Sequence, residues 1–128
     1  MFTKSYTSRK TFVRYDKSRY MVYLNEIEGV QIPDPESQSF AEGFEYTGQE
    51  PDGGTLINAK EATYDAFVSG LIRNVYSSDR VEAISINRIN ALIDPTIDRA
   101  DEFISEYAAL EAYRESCKVE ARRLLGMD

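Results

Sequence analysis

The chain has 128 residues, 42% of them hydrophobic and 12% aromatic, and its net charge is −7. This length predicts a single domain over residues 1–128, with enough apolar side chains to bury a core without metals or disulfides. The one cysteine excludes an internal disulfide, and the lack of histidine removes both the usual acid–base group near neutral pH and a nitrogen ligand for zinc. We therefore expect a protein that is not an enzyme and that binds no metal and no cofactor.

The first ten residues, MFTKSYTSRK, are polar and charged where a signal peptide needs an apolar run. Apolar runs elsewhere are far shorter than the roughly 20 residues that span a bilayer. The sequence thus predicts a cytoplasmic or virion location, without secretion by a signal peptide and without a membrane partner.

Basic and acidic residues are unevenly distributed along the chain. Residues 1–24 hold six basic side chains and one acid, a charge of +5, whereas the remaining 104 residues carry −12. A net negative charge argues against a protein whose whole surface binds nucleic acid, because phosphates need clustered Lys and Arg. The sequence predicts a charge dipole with a basic front end.

The front end has the pattern of an antiparallel hairpin over residues 9–27. Two runs rich in Thr, Phe, Val and Tyr flank the polar DKS, which predicts strands at 9–15 and 19–27 with both faces of the second strand partly covered. Prolines, serines and acids then predict an irregular, potentially mobile connection over residues 30–43. Residues 44–47 are a candidate third strand.

Helical periodicity begins after residue 57. Apolar residues spaced by three and four predict a helix over 59–76, and Asn58 with Glu61 has the pattern of a capping box. A second helix is predicted over 78–92, although alternating residues leave a strand over 82–89 open.

Asp94 and Pro95 are typical of a helix start, and they predict a long helix over 95–125 that ends at Gly126. Such a helix would be about 45 Å long, so we expect its C-terminal half to project or to pair with another helix. The predicted fold class is α+β. The candidate helix interface comprises the heptad-spaced residues Phe103, Tyr107, Leu110, Arg114, Cys117, Ala121 and Leu124.

The stretch GQEPDGGT, residues 48–55, resembles a phosphate-binding loop but has Gly54 where the lysine belongs. Glu50 and Asp52 would add negative charge beside a phosphate. The sequence Pro51-Asp52-Gly53 is typical of a turn, and we predict a turn here.

Cys117 and the acidic residues also have two interpretations each. A neighbouring Lys118 could activate the thiol, but the heptad position of Cys117 predicts a small buried hydrophobic residue. The carboxylates at the start of the long helix fit its dipole and do not need a metal ion.

Aromatic and basic side chains alternate in the predicted hairpin. This combination suits stacking on single-stranded nucleic acid, and it equally suits docking on acidic helices, either the protein's own or those of a neighbouring copy. We favour protein contact. The candidate partner-binding residues are Arg9, Lys10, Arg14, Tyr15, Lys17, Arg19, Tyr20 and Tyr23.

Two segments of residues 45–126 have a recognisable pattern: LIRNVYSSDRVEAI, which has the pattern of a helix, a break and a second helix, and YR-x-x-C-K-x-x-A in the last predicted helix. On these segments the chain resembles small proteins encoded among the structural and tail genes of bacteriophages and prophages. This resemblance implies a structural or accessory role in assembly, and it implies no active-site residue.

Two hypotheses follow. The first is a non-enzymatic phage or prophage structural or assembly protein, in which the basic hairpin docks on an acidic surface, the long helix completes an interface, and copies associate head to tail. The alternative is a single-stranded nucleic-acid or regulatory binding module that uses Arg14, Tyr15, Arg19 and Tyr20.

Overall fold

The computed structural model describes residues 1–127, which form six strands followed by three helices. The predicted α+β class is confirmed. None of the helices in this part of the chain is both long and apolar enough to cross a bilayer. The elements are β1 (Phe2–Tyr6), β2 (Phe12–Arg14), β3 (Arg19–Val22), β4 (Ile27–Asp34), β5 (Ser39–Gly48), β6 (Thr55–Asn58), α1 (Tyr64–Val75), α2 (Ser78–Ile93) and α3 (Ala100–Leu125).

The inner sheet, with strand order β2-β3-β6, contains the predicted hairpin. Strand β2 is shorter than predicted at both ends, whereas β3 begins at Arg19 as predicted but ends early. Asp16 accepts a hydrogen bond from the Ser18 backbone N–H and closes the turn, while Asn25, with φ of +58°, lies where the chain leaves this sheet. The hairpin is therefore confirmed, but the strand predicted over 19–27 ends at Val22.

Strand β3 is covered on both faces, as predicted. Tyr20 and Val22 belong to a core shared with the helices, whereas Met21 and Tyr23 pack with Tyr46 of the other sheet. Successive side chains of a strand point to opposite faces, so one strand contributes to both cores.

The outer sheet, with order β1-β5-β4, corrects the prediction for residues 30–43. These residues are not an irregular connection, because β4 and β5 form an antiparallel hairpin across them. Pro33 is tolerated since β4 is an edge strand, where a missing N–H breaks no ladder. The turn signal comes from Asp34, whose carboxylate accepts from Glu36 N and Ser37 Oγ. Residues 44–47 are a strand as predicted, within β5.

Helix α1 starts later than the predicted residue 59. Thr63 caps it by accepting from Ala66 N, and the predicted capping box at Asn58 and Glu61 is wrong. Residues 55–58 instead form β6, which pairs with β3. Pairing with the open edge of β3 therefore decides the structure of these residues over the local capping pattern.

The second helix is confirmed, and residues 82–89 are helical, not a strand. Ser77 caps α2 by accepting from Arg80 N. Helix α3 begins at Ala100 and not at residue 95, because Asp94 accepts from Thr96 N and holds the intervening residues in a turn. It ends at Gly126, with φ of +67°, as predicted. Its 26 residues span about 39 Å.

Helices α1 and α2 run antiparallel to α3, one after the other along its length. Tyr64 of α1 lies under the Arg122 guanidinium, and Tyr107 of α3 lies under that of Arg88 in α2. Helix α2 packs mainly on α3. We call α2 with the N-terminal half of α3 (residues 100–111) the arm.

The C-terminal half of α3, which was expected to project or to pair with another helix, pairs with α1 and is buried. Cys117, Ala121 and Leu124 lie in the core with α1 and the inner sheet. The arm stands off the sheets, because the sheets and α1 together are long enough to cover only the C-terminal half of α3.

Candidate interaction surfaces

The basic hairpin, residues 9–19, carries five basic side chains and one acid, a charge of +4. Two of the cations are neutralised within the molecule. Arg9 binds Glu26, with Nε 3.0 Å from Oε1, and also binds Glu28. Arg19 binds Asp16 at 2.7 Å and thereby lowers the pKa of that carboxyl group.

The other three cations have no carboxylate within 4 Å in residues 1–127. Lys10 lies 4.8 Å from the centre of the Tyr6 ring, and Arg14 donates to the carbonyl oxygen of Lys60 at 2.8 Å. Lys17 is exposed in the turn. Three positive charges of the hairpin are thus not neutralised by a carboxylate of the described residues, although the Arg14 guanidinium already donates to carbonyl oxygens and to the Tyr20 hydroxyl.

The aromatic rings in the basic hairpin and in the residues that follow it do not form the stacking surface that the sequence suggested. Tyr20 and Tyr23 are each only 6% exposed, and Tyr20 packs edge-on against Phe67 at 5.3 Å between ring centres. Tyr23 donates its hydroxyl proton to Asp52, and burial raises its pKa. These two predicted partner-binding residues are core residues, because alternation along β3 turns them to covered faces. Tyr15, 55% exposed, is the ring that solvent reaches.

The loop over residues 48–55 is a turn between β5 and β6, as predicted. Gly53 N donates to Glu50 O at 2.9 Å, and Gly54 N donates to the Asp52 carboxylate at 2.9 Å. A strand follows the loop, where a phosphate-binding loop would be followed by a helix. The backbone oxygen of Asp52 also accepts a hydrogen bond from the Tyr6 hydroxyl, and its carboxylate accepts one from the Tyr23 hydroxyl. Asp52 therefore links the two sheets.

A polar cluster around Glu26 was missed by the sequence analysis. The Glu26 side chain is 6% exposed and accepts from Arg9 Nε at 3.0 Å and from the Tyr46 hydroxyl at 2.7 Å. Burial, together with this hydrogen bond, raises the pKa of Tyr46 to about 12. Arg123 Nη1 lies 3.7 Å from Glu26, and Arg123 Nη2 donates to Tyr23 O at 2.6 Å. No local sequence pattern predicts this cluster, because its members are far apart in the sequence.

The predicted helix interface on α3 is largely internal. Leu110, Cys117, Ala121 and Leu124 are buried inside the molecule, so they are not free to contact a partner. Cys117 is a small buried residue as predicted, and burial raises the pKa of its thiol.

The remaining members of that set lie on the arm or next to it. Phe103 and Tyr107 are half-buried, with the guanidinium groups of Arg99 and Arg88 at 5.1 and 4.2 Å from their ring centres. Arg114 is exposed, 3.9 Å from Glu111. The heptad pattern predicted helix pairing correctly, but the partners are α1 and α2 of the same chain.

The far end of the arm is acidic. We call residues 94–106 the tip; they hold five acids and one base, a charge of −4. Arg99 pairs with Glu102 at 2.8 Å, and no other acid of the tip has a basic partner within 4 Å in the part of the chain that the structure describes. These carboxylates do not converge on a cation site, since no three potential metal ligands cluster anywhere in residues 1–127.

Large apolar side chains are exposed along the arm, where a helix pair of this size usually shows polar ones. Their exposed fractions run from 39% to 77%, too high for core residues. They are Ile86, Ile89, Leu92 and Ile93 of α2 and Ile104 of α3.

A cleft of about 340 Å³ lies beside the base of the arm, where α1 and α2 diverge above α3. Its apolar lining comes from all three helices. Two acids and two bases, Asp65, Arg73, Glu111 and Arg114, surround it. The apolar lining consists of Val68, Ile72, Val81, Tyr107 and Leu110.

Comparison of the chain with protein-family models, with curated proteins and with solved structures found no match. The function is therefore inferred from the residues and their arrangement.

Proposed function

We propose that this protein is a non-enzymatic assembly protein of the kind that bacteriophages and prophages encode, acting in the cytoplasm or within the virion. It works through protein contacts between copies, in which the basic hairpin of one copy meets the acidic tip of another. The resemblance of residues 45–126 to phage structural proteins supports this role, and the distribution of charge supports the contact.

The observation that carries the proposal is the separation of opposite charges within one molecule. The hairpin holds three cations without a carboxylate partner, Lys10, Arg14 and Lys17, whereas the tip has a net charge of −4. Helix α1 runs antiparallel to α3 with Leu71 at Tyr113, and the hairpin turn lies beside Ala66 and Ser69, which come earlier in α1. Tyr113 is itself about 20 Å from Ala100 along α3, which is more than the Debye length of about 8 Å at physiological salt. The attraction between the hairpin turn and the tip of the same molecule is therefore largely screened. A second copy can bring them into contact.

The hairpin is better suited to protein than to nucleic acid. Sequence-independent binding of single strands uses a row of exposed rings on which successive bases stack. Tyr20 and Tyr23 are in the core, which leaves Tyr15 as the exposed ring. Fluorescence anisotropy with labelled oligonucleotides addresses the alternative, since binding through phosphates weakens steeply as salt rises.

Sedimentation of charge-reversed variants tests the contact. We expect the wild-type protein to associate more strongly in about 20 mM salt than in about 500 mM, because exposed charge pairs are screened. Lys17→Glu and Asp98→Lys should each lower the association constant at least about tenfold, or about 1.4 kcal/mol. The double variant should recover most of the loss, because the reversed charges again attract.

Glu36→Lys, a charge reversal in the exposed β4–β5 turn, serves as the matched control and should leave association unchanged. A wild-type protein that stays monomeric at tens of micromolar in both salts would contradict the proposal. So would a double variant that associates no better than the single ones.

A further inference from the structure

The cleft at the base of the arm continues into the exposed apolar side of the arm. Ser85 of α2 and Tyr107 of α3 both line the cleft. Residues three, four and seven apart share one face of a helix. Ile89 and Leu92 therefore extend the face of Ser85 towards the tip, and Ile104 extends that of Tyr107. The result is an apolar surface on the arm that borders a cleft with mainly polar and charged walls.

We propose that the arm of a second copy occupies this surface, so that two copies form a two-fold antiparallel dimer in which each arm lies in the cleft of the other. This inference rests on the proposed function and specifies its partner. The contact pairs two helices from each copy, and the apolar side chains of the arm meet the half-buried Val68, Val81 and Tyr107 of the partner's cleft.

The exposed area is suitable for such a dimer. The five exposed arm side chains present on the order of 500 Å² of apolar surface, near the upper range for the largest patch on an ordinary monomer. A standard interface buries roughly 800 Å² on each partner, and the cleft walls and the charged rim supply the difference.

Charge determines the orientation. In a parallel pairing, two tips of −4 would lie side by side and repel each other. An antiparallel pairing separates the tips and directs each one to the body of the partner.

The basic hairpin lies on the same side of the body as the cleft. Ser69 of α1 lines the cleft and also lines a neighbouring pocket together with Ser18 of the hairpin turn and Lys60. An arm in the cleft therefore brings its acidic tip towards the hairpin turn of the partner. The apolar contact and the charge contact then belong to one interface.

In a two-fold dimer both copies of the interface are occupied, so no further copy can add, whereas a head-to-tail contact continues into rings or filaments. Sedimentation equilibrium at about 500 mM salt separates the two, since the apolar contact persists when charge is screened. We expect a species of twice the chain mass that does not grow further with concentration.

Variants of the arm and variants of the cleft test the two surfaces that meet in the proposed dimer. Ile89→Lys/Leu92→Lys should lower dimer formation at least a hundredfold, and Ser85→Trp, which fills the cleft, should have a similar effect. Val119→Lys is the matched control, because Val119 is an apolar residue 62% exposed on the other half of α3. Circular dichroism and thermal unfolding should show that all these surface variants remain folded.

Each outcome bears on the dimer and on the proposed function separately. Assembly beyond the dimer, or an Ile89→Lys/Leu92→Lys variant that dimerises like the wild type, overturns the two-fold dimer while the charge contact stands. A salt-resistant dimer that is unaffected by Lys17→Glu and Asp98→Lys supports the arm contact and contradicts the charge contact. A chain that stays monomeric at high salt overturns the dimer, and association at low salt then decides the proposed function alone.

Discussion

At the scale of single residues, Glu26 joins parts of the molecule that are remote in sequence. It links Arg9 beside β2, Tyr46 of the outer sheet and Arg123 near the end of α3. A carboxylate so little exposed is stabilised only while these donors satisfy it, and the donors in turn depend on its charge. The cluster fixes the inner sheet, the outer sheet and α3 relative to one another.

We predict that Glu26→Leu lowers the free energy of unfolding by about 3 kcal/mol, because the Tyr46 hydroxyl and Arg9 Nε would lose their acceptor. Arg123 would keep its pair with Glu120, but its Nη1, which is already buried without a hydrogen bond, would lose the negative charge 3.7 Å away. Urea unfolding followed by circular dichroism measures the change. Glu28→Gln is the matched control: Glu28 binds the same Arg9 but is 64% exposed, so a change below about 0.5 kcal/mol is expected. Equal losses in the two variants would show that the burial of Glu26 is not what matters.

The residues that the sequence predicted correctly are those whose role depends on local periodicity. Cys117 follows the heptad of α3 into the core, and the alternation of β3 correctly assigned its residues to two covered faces. The same alternation should have excluded Tyr20 and Tyr23 as contact residues, since a strand covered on both faces exposes neither. Glu26 could not be predicted, because a buried carboxylate is recognised only through its partners.

At the scale of elements, α1 approaches β6 closely at Gly70. Gly70 faces the strand, and a Cβ atom at this position would lie 2.6 Å from Asn58 O and 3.2 Å from Ile57 Cδ1. The helix can therefore pack on the backbone of β6 only because residue 70 has no side chain.

Gly70→Ala tests this contact. In an exposed helix the change to alanine stabilises by about 1 kcal/mol, because alanine has the higher helix propensity. Here we predict a loss of about 1–3 kcal/mol, since the added methyl group separates α1 from β6. Urea unfolding measures both this variant and the control Ser105→Ala, an exposed position of α3 that should change by less than about 0.5 kcal/mol. A Gly70→Ala protein more stable than the wild type would contradict the close packing.

At the scale of the whole molecule, the body and the arm differ in how much they bury. The body contains the core formed by the inner sheet, α1 and the C-terminal half of α3. Of the large aliphatic side chains in the arm, Ile84 and Leu110 are buried, whereas the five exposed ones face solvent. One continuous helix, α3, therefore belongs to two regions of different local stability.

Hydrogen exchange should reveal this difference. In dilute protein at high salt, we expect amides of α3 in residues 103–109 to exchange at least about tenfold faster than those in residues 117–124, because local opening of the arm exposes little apolar surface. Mass spectrometry of peptic peptides from the two halves gives the comparison. Protection of the first half should rise with protein concentration as arms pair. Uniform protection along α3 at all concentrations would contradict a separate arm.

The sequence by itself determined the α+β class, the hairpin, the existence of three helices and the end of α3 at Gly126, because each depends on the periodicity or the turn residues of a short segment. Tertiary structure alone decided that residues 55–58 form a strand, that β4 and β1 flank β5, and that α1 and α2 together cover α3. These features depend on contacts between residues far apart in the chain, whose free energy outweighs local preference. The separation of the basic hairpin from the acidic tip also depends on tertiary structure. The sequence shows which segments carry the charges, but the length of α3 sets the distance between them within one molecule.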